Sequence, residues 1–184
     1  MTKTKIVSKS TKKKRQSLPL WMKNPYFYII AGFVIILIIL YLKVLFVGQD
    51  FSQPDAVSAG YANEGLNYHF SKEHTYPLWN PYLFSGMPAF ASMSFNKFAY
   101  FPGLILNPIN YLKVPGSVFM ILHYLLAGLG TYLLLRRWAL DKLSAFFGGV
   151  TFMMMPYIVT MYVFGHGSQM MCATYIPIIL YAIV

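Results

Sequence analysis

The chain has 184 residues, 57% of them hydrophobic and 18% aromatic, with only 11% charged and a mean hydropathy of +0.52. Those values exclude an ordinary soluble domain and predict an all-α polytopic membrane protein. The net charge of +10 does not by itself point to a nucleic-acid partner, because eight of the fifteen basic residues lie before residue 24 and the other seven face five acids.

Residues 1–25 form a basic tail of Lys, Ser and Thr with no apolar periodicity, predicted to be disordered. A basic cluster directly before an apolar run keeps its end of that run in the cytoplasm and touches anionic lipid headgroups. The run, residues 26–47, is a first predicted span. It is 22 residues long with sixteen Leu, Ile, Val and Phe, about 33 Å as helix against a hydrocarbon core of roughly 30 Å. Val57-Ser58-Ala59 resembles a signal-peptide cleavage site. It lies well beyond an apolar core that is itself too long for a signal peptide, so a retained anchor is expected.

Residues 117–135 and 143–164 are predicted as the second and third spans, the third containing Pro156. The loop between them, 136–142, carries Arg136, Arg137 and Lys142 and is expected in the cytoplasm. It follows that the long loop 48–116 and the turn 165–169 face outward. Residues 170–184 are apolar but too short to cross a bilayer, so they read as a truncated fourth span of a longer protein. Ala127, Gly128 and Gly130 predict close packing of the second span against a neighbour. The lone Cys172 offers neither a disulfide framework nor a thiolate metal site.

Within the outer loop, Ser52-Gln53-Pro54-Asp55 reads as a helix start with Ser52 as cap and Pro54 in the first turn, the helix running to about Lys72. The stretch PLWNPYLFSGMPAF at 77–90 follows, punctuated by two turns. Its Trp79, Tyr82 and Phe84 suit either stacking on a sugar ring or anchoring at the membrane interface. Residues 95–112, interrupted by Pro102 and Pro108, are too broken to span and are expected to lie in that interface.

The segments YPLWNPYLFSGMPAFASMSF and FGHGSQMMCATYIPIILY, in this order after a first span and an acid-bearing outer loop, resemble the YfhO-like bacterial membrane proteins. That family is related to the GT-C glycosyltransferases. The resemblance implies a GT-C-like multi-span bundle with a large, partly helical first extracytoplasmic loop, in the bacterial inner (plasma) membrane. It also implies a polyprenyl-phosphate sugar as donor, a cell-envelope polymer as acceptor, and a carboxylate of the first outer loop as base. A 184-residue front part of such an enzyme is expected to be inactive alone. The alternative is a non-enzymatic membrane protein, a flippase-like or scaffold subunit that binds lipid or glycan.

Attack by an acceptor hydroxyl on the sugar requires a base within about 2.6 to 3.2 Å. Asp55 is the position matching the family's loop acid, with helix capping as its competing role, and Asp50 is the reserve. His166, between Gly165 and Gly167, is a candidate to bind phosphate or orient the acceptor. Trp79, Asn80 and Tyr82 are the candidate sugar-binding residues, and Lys97, within the aromatic stretch, is preferred over Lys72 and Lys113 as a phosphate partner. His123, inside the second span, is a functional candidate by position but is expected to be a packing residue. No His or acidic pair has metal-ligand spacing, although some GT-C enzymes use a divalent metal.

Overall fold

A computed structural model describes residues 24–75, 78–89 and 116–184. These are mostly helical, and two of the helical stretches, Ser117–Arg137 and Lys142–Phe164, are long and apolar enough to cross a bilayer. The helices are α1 (Pro25–Leu40), α2 (Leu42–Val47), α3 (Pro54–Glu73), α4 (Gly116–Arg137), α5 (Lys142–Met153), α6 (Pro156–Phe164) and α7 (Gly167–Ile183). One antiparallel ribbon pairs β1 (Trp79–Asn80) with β2 (Met87–Pro88). The basic tail before Asn24, the interfacial segment 95–112, and Lys97 and Lys113 lie outside the described residues.

The first apolar run divides into two helices at Tyr41, whose backbone (φ −104°, ψ 23°) departs from helical geometry. Asn24 caps α1 by accepting from the Tyr26 amide at 3.0 Å, and Pro25 occupies the first turn, where no amide is needed. At Tyr41 the helical bonds continue, from its amide to Leu37 and from Leu45 back to its carbonyl, both at 2.9 Å. The third apolar run is likewise broken. Pro156 forces Met155 into extended geometry (φ −55°, ψ 126°), so α5 stops at Met153 and α6 begins at the proline. The outward turn expected at 165–169 is shorter, Gly165 and His166 only. Gly165 ends α6 at φ +105°, and α7 starts at Gly167.

The α3 cap also differs from the sequence reading. Gln53, not Ser52, holds the N-cap position, and no side chain caps the helix. Proline at the first position already removes one amide that would need a partner.

Among the described residues α4 is central, packing on α1, α2, α5 and α7. Its small residues are where neighbours enter. Phe33 of α1, fully buried, seats its ring against Gly128 of α4 and Gly149 of α5 and lies 4.8 Å from the Phe146 ring. Ile178 of α7 covers Gly130. Thr131, Thr151, Thr160 and Thr174 all donate their hydroxyls to carbonyls of their own helices. Thr151 and Thr160 are exposed on the helix surfaces, so this internal bonding suits an environment without water.

At the start of α5, Asp141 accepts from the Leu143 and Ser144 amides and from the Ser144 hydroxyl. The Ser144 hydroxyl first, then these amides, hold the carboxyl below its ordinary value of 3.8. A depressed pKa means this cap supports α5 at neutral pH and is lost as pH falls through the lowered value.

Gly149 has no room for a side chain, since a Cβ there would sit 2.6 Å from both the Gly128 carbonyl and the Phe33 ring. Gly149→Val is therefore expected to destabilise the protein by about 1–3 kcal/mol through overpacking, measured as a lower midpoint of thermal unfolding in detergent against Gly60→Ala, where the site is open.

Candidate functional site

The candidate site is built where the entry to α3 meets the corner between α6 and α7. Gly48 ends α2 in the left-handed region (φ +71°) and turns the chain back. The Asp50 carboxylate accepts from the Phe51 amide at 2.8 Å. This fixes Phe51, whose ring meets Tyr162 of α6 edge-on at 5.5 Å and Tyr41 at 6.2 Å. Gln53 and Asp50 both lie near enough to the Tyr162 hydroxyl to act on it electrostatically. Pro54 then starts α3.

Gly165 completes the approach. Its left-handed φ is one that residues with a Cβ rarely adopt, and an added Cβ would stand 2.6 Å from the Ala56 amide nitrogen. Only a glycine lets the first turn of α3 lie on this corner. The result is that His166 Nε2 stands 3.2 Å from Asp55 Oδ2, an ion pair when the imidazole is protonated. The two side chains are 49% and 61% exposed, so the pair contributes at most about 1 kcal/mol to stability but remains open to a ligand.

Asp55 and His166 are thus brought together, while Asp50 stands beside them as an anchor for Phe51. The other sequence candidates lie elsewhere. Trp79 packs over Gly86, and the Tyr82 ring packs over Gly65 of α3 with its hydroxyl 3.0 Å from His69 Nε2. Gly65 is ten residues beyond Asp55, about 15 Å along the helix. The ribbon aromatics and the Asp55–His166 pair therefore occupy different ends of α3.

Asn80 lies at the turn end of β1. It is fully buried, and its side-chain carbonyl accepts from the Tyr82 amide at 2.9 Å, closing the turn. Trp79, Tyr82 and Phe84 by contrast are 56%, 51% and 84% exposed. His123 is 2% exposed within α4, with Nδ1 2.8 Å from the Phe119 carbonyl and Nε2 3.4 Å from the Tyr175 hydroxyl of α7. It joins α4 to α7, away from the Asp55–His166 pair.

Sequence reasoning missed Tyr162 and Gln53. The signal for Tyr162 was its place one helical turn before His166, and for Gln53 its place two residues before Asp55. Among the described residues no group of three or more His, Cys, Asp or Glu is placed to hold a metal ion. Comparison of the chain with models of known protein families, with curated proteins and with solved structures finds no match in any of the three.

Because the pair is exposed, a double-mutant cycle on Asp55→Asn and His166→Asn is expected to give a stability coupling under about 1 kcal/mol. Gly165→Val, which strains φ and strikes Ala56, is expected to separate the two. With cysteines at 55 and 166 in a Cys172→Ser background, cross-linking by a short bismaleimide should fall several-fold when Gly165→Val is added.

Proposed function

We propose that the chain is part of an integral-membrane glycosyltransferase of the YfhO-like, GT-C-related kind. It is multi-pass, with a cytoplasmic N-terminus in a bacterial plasma membrane, and moves a sugar from a polyprenyl phosphate to an envelope polymer on the outer face. The observation that carries this reading is the contact between Asp55 and His166, two candidates far apart in the chain that meet at hydrogen-bond distance on an open surface.

In this reading Asp55 is the general base. Its Oδ2 is held by His166, while Oδ1 has no partner among the described residues and is left to take the acceptor hydroxyl's proton. The hydroxyl oxygen attacks the anomeric carbon as the bond to the polyprenyl phosphate breaks, and the phosphate leaves as an anion. Protonated His166 orients the carboxylate or donates to that phosphate.

A second reading, a non-enzymatic lipid- or glycan-binding subunit, is favoured by one observation. The exposed aromatics of the ribbon lie away from the acid and need no reaction to explain them.

Donor-dependent labelling of envelope polymer, at equal membrane abundance of the protein, separates the two. Asp55→Asn is expected to reduce labelling by about 10²- to 10⁴-fold, the usual worth of a general base, and Trp79→Ala by much less. Full labelling with both Asp55→Asn and Asp50→Asn would remove the enzymatic reading. Loss with Trp79→Ala alone would favour the binding subunit.

A further inference from the structure

Away from Asp55, α1 and α5 meet at a local contact. They touch where the Phe146 ring comes within 3.0 Å of where a Gly32 Cβ would stand, and where Phe33 meets Phe146. One turn earlier on each helix the contact opens into a crevice of about 270 Å³ lined by Tyr28, Ile29, Lys142, Leu143 and Phe146. Its walls are apolar, and one cation and one phenol stand in the lining. Gly32 is what lets Phe146 in to close the floor.

We propose that this crevice binds an anionic glycerophospholipid of the surrounding bilayer, with an acyl chain along Ile29, Leu143 and Phe146 and the phosphate against Lys142, Tyr28 beside it. The inference rests on the membrane-spanning character of the two long helices and not on the transferase reading.

Charge decides the occupant. Lys142 makes no ion pair among the described residues. Its acidic neighbour Asp141 gives both oxygens to the α5 cap, receiving the Leu143 and Ser144 amides and the Ser144 hydroxyl. The two arginines at this end are turned to the backbone, Arg136 to the Leu140 carbonyl and Arg137 to that of Val184 at 3.2 Å. An ammonium at the lip of an apolar crevice, in no ion pair with a carboxylate among the described residues, suits a lipid whose headgroup keeps a net negative charge. A zwitterionic lipid brings its own cation to the same place and gains less.

The test is native mass spectrometry of the purified chain in detergent, titrated with palmitoyl-oleoyl phosphatidylglycerol or with the matching phosphatidylcholine. The wild type is expected to retain at least about fivefold more phosphatidylglycerol, the worth of one basic side chain near an anionic surface. Lys142→Gln should remove that preference and leave phosphatidylcholine retention unchanged, and Lys142→Arg should restore it. Lys142 is exposed, so neither change threatens the fold. Lys43→Gln, at the other end of the first apolar run, should change nothing. Equal retention of the two lipids by the wild type, persistence of the preference in Lys142→Gln, or an equal loss in Lys43→Gln would each overturn the proposal.

Discussion

The assembly depends on one insertion, the ring of Phe33 between Gly128 and Gly149. Three helices meet at that point, and two of them approach so closely that the Gly128 carbonyl faces the Gly149 Cα with no room for a methyl group. Small residues let backbones approach, and the aromatic ring fills the space that the approach leaves at its edge. Burying such a ring is worth about 1.5–3 kcal/mol, and here it also fixes how α1 is rotated about its axis. With Phe33 turned inward, Leu37 and Tyr41, at successive four-residue steps, face inward too.

That rotation is transmitted outward by aromatic contacts. Tyr41 stacks on Tyr124 of α4 at 5.6 Å and 8° between planes. Phe51 bridges Tyr41 to Tyr162. Pairs of this kind contribute about 0.5–1.5 kcal/mol each beyond their buried area, whereas the exposed Asp55–His166 pair contributes little. The pair is therefore held in place by the buried ladder beneath it, and its own attraction is not what positions it.

The apolar runs were legible in the sequence because hydrophobicity over twenty residues is a strong, local signal. So were the close contacts of Ala127, Gly128 and Gly130, since small residues in an apolar helix have few other uses, although which neighbours they meet was not. Asp55 and His166 were each legible alone, but their meeting depends on the φ of Gly165 and the approach of Ala56, which no spacing rule encodes. The α3 cap was misread because Ser52 satisfies the local pattern, while Pro54 at the first helical position puts Gln53 at the boundary. The burial of Asn80 was not legible for a similar reason. Next to exposed aromatics it has the composition of a binding residue, yet the turn uses its carbonyl and buries it.

The break between α5 and α6 ties these levels together. A helix interrupted among apolar neighbours leaves carbonyls without partners, and in lipid each would cost several kcal/mol. Here the freed groups are met locally. Met154 bonds back to Val150 and Met155 to Phe152, Ile158 and Val159 both reach the Met155 carbonyl, and the Thr160 hydroxyl covers that of Pro156. Because these bonds keep the cost low, the helix can stop at Met153 and restart at Pro156. It is this restarted helix that carries Tyr162 to Phe51 and Gly165 to Ala56, and with Gly165 the neighbouring His166 to Asp55.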